Sequence, residues 1–141
     1  MKLATLILFF QLAFLTIAAQ PDNKPFGVIA EGPANGYQTV TDKEGNVFFM
    51  GSFNGTLALD TFKITYTGEN YEHALFIIKM DKKGKLLWAK SYDIKKRAEY
   101  FDMDIDPEGN LFPLDQDYHG LIKINNDGAF VWNKSFYCSS A

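Results

Sequence analysis

An all-β chain of antiparallel hairpins, organised as a repeat, is what this sequence predicts, and three observations predict it. One turn-and-strand pattern occurs twice, as Asp42-Lys-Glu-Gly45-Asn46-Val47-Phe48 and again as Asp106-Pro-Glu-Gly109-Asn110-Leu111-Phe112. Each copy is followed by a second element of matching chemistry. The first carries Ile77-Ile78-Lys79-Met80-Asp81-Lys82-Lys83-Gly84 with Trp88-Ala-Lys90-Ser91-Tyr92, and the second Leu121-Ile122-Lys123-Ile124-Asn125-Asn126-Asp127-Gly128 with Trp132-Asn-Lys134-Ser135-Phe136. Self-similarity of that kind marks a repeat architecture, in which one unit buries its apolar face only against a neighbour. Finally, Gly, Asn and Asp punctuate the chain roughly every eight to twelve residues, the spacing of short antiparallel strands, and no segment past the N-terminus carries a convincing helical period.

Taken in order, residues 1–19 read as a cleaved signal peptide. Lys2 supplies the positive charge, Leu3 to Ile17 is apolar apart from Thr5, Gln11 and Thr16, and the small residues Ala18 and Ala19 follow. The stretch is short against the roughly 20 apolar residues of a membrane-spanning helix. With no cysteine beside the cleavage site, a lipoprotein anchor is not expected, and the mature chain is expected to be secreted or at the cell surface, without a membrane segment. Residues 20–35, with Pro21, Pro25 and Pro33, read as an irregular lead-in.

Residues 36–141 form the repeat region, with a first repeat at about 36–93 and a second at about 100–137. Four hairpin turns are expected, at Asp42 to Gly45, Asp81 to Gly84, Asp106 to Gly109 and Asn125 to Gly128. In each, the leading Asp or Asn can bond the backbone two residues on, and the glycine accepts the positive φ that closes the loop. Strands are expected at Gly36–Thr41, Asn46–Phe53, Thr56–Leu59, Phe62–Thr67, Ala74–Met80, Lys85–Tyr92, Tyr100–Ile105, Asn110–Leu114, Leu121–Ile124 and Ala129–Phe136. Pro113 is expected at a strand end or sheet edge, because it cannot donate to a ladder. The copies differ by a segment from Ser52 to His73, which has only a short counterpart at Asp115 to Tyr118 and reads as either an extra hairpin or a long loop.

The residues of the first copy resemble the SBBP-type repeat of bacterial β-propellers. Those that carry the likeness are Asp42, Gly45-Asn46-Val47-Phe48, Gly51-Ser52-Phe53 and Gly55-Thr56, then Phe76-Ile77-Ile78-Lys79, Asp81, Gly84 and Trp88-Ala89-Lys90-Ser91. The second copy keeps Asp106, Gly109, Asn110, Gly128 and Trp132 but has Leu114-Asp115-Gln116-Asp117 in place of the Gly-Ser-Phe-x-Gly-Thr stretch. The resemblance implies an exported or surface protein whose repeats carry no shared catalytic residues. It also implies a partial propeller. At roughly 40 to 45 residues per blade, the mature chain makes two to three blades, short of the four to eight that close a ring. The expected partners are therefore the missing blades, other copies of the chain, or a surface partner.

Composition narrows the function classes. The net charge is −3 with Lys2 counted, so the surface does not call for nucleic-acid phosphate, which needs clustered Lys and Arg. Cys138 is the one cysteine, so no intrachain disulfide is possible and stability must come from packing and strand pairing. Trp88 and Trp132, each four residues past a turn glycine, read either as filler between sheets or as a ligand-stacking rim. Asp102, Asp104 and Asp106 are a weak calcium candidate, because an EF-hand-like count places Pro107 where that loop needs glycine; their alternation with Met103 and Ile105 reads as a strand with one wet face. His73 and His119 lack zinc spacing, and no serine sits in a Gly-x-Ser-x-Gly elbow. Neither a catalytic constellation nor a cofactor is expected. The reading is a non-catalytic segment for binding or assembly, with the aromatic residues of the insertion, Phe53, Phe62, Tyr66 and Tyr71, as the speculative ligand contacts. The alternatives are a piece of a quinoprotein-like or glycan-acting propeller enzyme and a purely structural spacer.

Overall fold

The computed structural model describes residues 28–31, 33–59, 62–67, 73–96, 101–115 and 120–136, and within them the chain is all-β and antiparallel. The expected leader, Tyr71, His119 and Cys138 lie outside the described residues. Eleven strands form: β1 (Val28–Glu31), β2 (Ala34–Thr41), β3 (Val47–Phe53), β4 (Gly55–Leu59), β5 (Phe62–Tyr66), β6 (His73–Met80), β7 (Leu86–Lys96), β8 (Phe101–Ile105), β9 (Leu111–Asp115), β10 (Gly120–Ile124) and β11 (Phe130–Ser135). They make three sheets, ordered β2-β3-β6-β7, β8-β9-β10-β11 and β1-β4-β5. We call these the first, second and outer sheets.

Local chemistry sets the hairpins. In all four expected turns the glycine N–H donates to the carbonyl of the leading Asp or Asn, at 2.9 to 3.0 Å. The leading side chain also accepts the backbone N–H four residues on, at 2.7 to 2.9 Å, which pins where the second strand starts. The turns therefore close by themselves; the second sheet is a simple meander, and the first keeps the same antiparallel order with β4–β5 inserted between β3 and β6.

Two features depart from the sequence reading. The lead-in is not wholly irregular: Val28–Glu31 forms β1 and pairs with β4, from Val28 opposite Leu59 to Glu31 opposite Thr56. Pro113 stands in the middle of β9, an inner strand, and is fully buried. It is tolerated because the β9–β10 ladder passes from Leu121–Leu114 to Ile124–Leu111 with no paired rung at Pro113, so the N–H that proline lacks is not missed there.

Alternation along the strands gives the first and second sheets two apolar faces each. On the first sheet Phe48, Met50, Leu75 and Ile77 point one way and meet Met103, Leu111, Ile122 and Ile124 of the second sheet in one buried cluster. Phe76, Ile78 and Ala89 point the other way and meet Leu57 and Leu59 of β4, with Phe53 and Ala74 between. The Ser52-to-His73 insertion is thus a hairpin, β4–β5, folded back with β1 over the first sheet. The order of layers is outer sheet, first sheet, second sheet. The backbones of the first and second sheets come closest where β2 meets β8.

Candidate functional site

The repeat makes the second sheet's exposed face a chemical copy of a covered one. Through the shared turns, Phe48 corresponds to Phe112, Met50 to Leu114, Ile77 to Leu121, Lys79 to Lys123, Trp88 to Trp132 and Lys90 to Lys134. In the first sheet these positions form the face that receives the second sheet. In the second sheet they form the opposite side from its buried contacts, because its own packing uses Leu111, Ile122 and Ile124, one residue out of step. The sheets therefore stack head to tail.

On the covered face the donors converge on a single turn, Asn125 to Gly128. The Lys79 ammonium donates to the Asn126 side-chain carbonyl, and the Trp88 indole N–H to the Asn126 backbone carbonyl at 3.3 Å. The Lys90 ammonium reaches the Asp127 carbonyl at 2.7 Å, and the Tyr92 hydroxyl the Gly128 carbonyl at 2.9 Å. These three carbonyls face outward from the tip of a tight turn, where only water would otherwise pair them. Lys79 is held in place from below: it lies 4.9 Å from the Phe48 ring centroid and 4.0 Å from the Asp42 carboxylate.

Burial opposes ionisation of Asp42, but the Asn46 side-chain amide and backbone N–H, then Lys79 and the Glu44 N–H, outweigh it and hold the carboxyl below its ordinary value. Burial alone pushes the Tyr92 phenol well up, so it stays a neutral donor.

The second sheet repeats the arrangement without the turn. Lys123 lies 5.4 Å from the Phe112 ring and Lys134 lies 5.0 Å from the Trp132 ring. Phe112 and Trp132 pack at 6.2 Å, against 6.0 Å for Phe48 and Trp88. The Asp106 carboxyl is lowered in the same way as Asp42: burial raises it, and Asn110, Lys123 and the Glu108 N–H prevail. Among the described strands none lies over this face. A groove of about 390 Å³ runs along it between Asp102 and Asp104 on one side and Phe112, Leu114 and Leu121 on the other.

The residues singled out in the sequence fall in different places. Asp42, Gly45, Asn46, Gly84, Asp106, Gly109, Asn110 and Gly128 lie in the four turns. Trp88 fills space beside the inter-sheet cluster, and Trp132 stands half-buried on the face described above.

Phe53 is buried with its ring against Phe76 and Tyr66, so it belongs to the packing under the hairpin. Tyr66 is half-buried there and Phe62 is exposed. Asp102 and Asp104 each accept the N–H of the following residue, while Asp106 is engaged with Asn110. Among the described residues no three His, Cys, Asp or Glu side chains converge as a metal site would require.

The sequence reading passed over Lys79, Lys90 and Tyr92 as donors, and Phe112, Leu114 and Leu121 as a face. The signal was present: both lysines recur at matching positions, each two residues along a strand from an apolar residue of the same face. No protein-family model, curated protein or solved structure matches the chain.

Proposed function

We propose that this chain is an exported, non-catalytic β-propeller-type repeat segment that serves in binding or assembly at the cell surface or outside the cell. The observation that carries the reading is the second sheet's open face. It presents four half-buried apolar side chains, Phe112, Leu114, Leu121 and Trp132, ringed by Asp102, Asp104, Lys123 and Lys134. An apolar strip with a charged rim is what protein-binding surfaces have in common. The propeller reading draws support from two consecutive four-stranded antiparallel sheets, the first interrupted by the β4–β5 insertion, stacked head to tail, since blades of a propeller follow one another in that way. The SBBP-type resemblance supports the same conclusion, as its residues Asp42, Gly45, Asp81, Gly84 and Trp88 build the turns and the inter-sheet contact. Export rests on the leader at residues 1–19.

The reading is tested with Leu121→Lys, which places a charge at the centre of the open face and leaves the buried clusters intact. Immobilised wild-type chain should retain a partner from the extracellular fraction of the cells that make it, and the variant should not, while both melt alike in urea. Equal retention by the two chains, or none by either, would sink the proposal.

A further inference from the structure

We infer that the open face of the second sheet is a turn-reading dock: its partner is a further β-meander of this repeat type, presenting an Asn-Asn-Asp-Gly-like turn free of lysine. This rests on the binding-or-assembly reading above and specifies the partner's chemistry.

The established contact between the first and second sheets is the template. There, Lys79, Trp88, Lys90 and Tyr92 meet four oxygens of the Asn126–Gly128 segment, and the aliphatic residues Leu111, Ile122 and Ile124 lie against Phe48, Met50 and Ile77. On the second sheet, Lys123, Trp132 and Lys134 stand at the equivalent positions: Lys123 lies 5.4 Å from the Phe112 ring and Lys134 5.0 Å from the Trp132 ring, where Lys79 and Lys90 lie 4.9 and 5.8 Å from Phe48 and Trp88. Phe136, exposed, stands where Tyr92 does and lacks the hydroxyl, so three of the four donors are conserved between the copies. A surface with three preset donors above an apolar strip is complementary to a turn with outward carbonyls on a sheet with an aliphatic face. It is not complementary to a flat or anionic-only surface.

A second copy of this chain does not fit head to tail, for two reasons. The face of the first sheet that would have to dock is already occupied by the outer sheet, through Leu57 and Leu59. The first sheet's own turn also carries Lys82 and Lys83 where the second carries Asn126 and Asp127. Docked on the second sheet, Lys82 would stand against Lys123, and Lys83 near Lys134. At Lys82 the Asn126 side-chain acceptor is replaced by a like charge and Lys83 adds a second, while the backbone carbonyls stay, so charge repulsion selects against the wrong partner. The second sheet's turn, with Asn126 and Asp127, is the accepted kind.

The test extends the full chain by one more copy of its own residues 97–136, placed after Ser140, the position equivalent to Lys96. The expected result is that the Trp132 indole N–H exchanges with solvent about tenfold or more slowly than in the unextended chain, approaching Trp88, because docking buries it. Replacing the added copy's Asn-Asn-Asp-Gly turn by Asp-Lys-Lys-Gly should remove that protection. A Trp132 indole that exchanges as fast in the extended chain as in the original overturns the inference. So does protection that appears in the unextended chain as its concentration rises, since a second copy would then be the occupant. If the extended chain fails this test while Leu121→Lys still abolishes partner retention, the binding reading stands and only the repeat-type partner is wrong.

Discussion

The first and second sheets share turns, strand order and the side chains of one face, yet among the described residues one is covered on both faces and the other on one. What separates them is an insertion of about twenty residues in the first repeat. Its hairpin, β4–β5, together with β1, covers Phe76, Ile78 and Ala89. Within the first sheet Gly51 lets β2 and the Phe76 ring approach β3: a Cβ there would come within 2.2 Å of the Asn35 carbonyl and 2.5 Å of the Phe76 ring. The second repeat has Asp115 at that position and lacks the inserted stretch of sequence. One repeat thus ends a stack and the other leaves it open, with nearly the same sequence on the stacking face. Equivalent residues in a repeat can be core in one copy and surface in the next, and only the neighbour decides which.

The sharpest way to break this comparison is at Phe48 and Phe112. Phe48→Ala removes a fully buried ring and should cost about 4 kcal/mol in a urea melt. Phe112→Ala removes a half-buried ring whose main contact is Trp132, and should cost about 1 kcal/mol. Equal costs would mean that the second face is covered after all.

The turns offer a finer contrast. Gly84 and Gly128 have φ of 81° and 76°, so alanine strains either backbone by about 1 kcal/mol. At Gly84 a Cβ meets nothing, whereas at Gly128 it would meet the Lys90 side chain at 2.9 Å and the Trp88 ring at 3.2 Å. Gly128→Ala should therefore cost about 1 kcal/mol more than Gly84→Ala, as read from the shift in urea midpoint. An effect of similar size is expected of the indole N–H. Trp88→Phe loses the bond to Asn126 and should cost about 1 kcal/mol, while Trp132→Phe should leave the melt unchanged.

The smallest effect is in acid. The Asp42 carboxyl is depressed in the folded chain, so it contributes stability above its unfolded value near pH 4 and loses it as pH falls through the folded value. Asp42→Asn should flatten stability against pH in that window. A slope unchanged by the substitution would remove the carboxylate from the account of that turn.

Much of the strand order was legible because the turns are local. Asp42, Asp81, Asp106 and Asn125 each bond backbone within four residues, and glycine completes the reversal, so four neighbouring residues carry the whole instruction. The insertion was legible as an insertion but not as a hairpin with a place to fold. β1 and β4 are separated by the entire first hairpin, and nothing in Val28–Glu31 names Thr56–Leu59 as its partner. Pro113 was misplaced because its missing donor costs nothing where the ladder already skips a rung. The aromatic residues Phe53 and Tyr66 look alike as sequence, and packing alone put the first in the core and left the second half-buried.

The sequence by itself therefore determined an all-β antiparallel chain, its hairpin turns and the equivalence of its two repeats, since hydrogen bonds within a few residues and two-residue alternation are written in the local order of side chains. Tertiary structure alone decided that the inserted hairpin seals one side of the first sheet, that Asn126 is the residue Lys79 and Trp88 hold, and that Lys123, Trp132 and Lys134 stand open. Those outcomes depend on which surfaces meet across long separations in sequence, where the first and second sheets each have two apolar faces of similar chemistry and only their mutual packing breaks the tie.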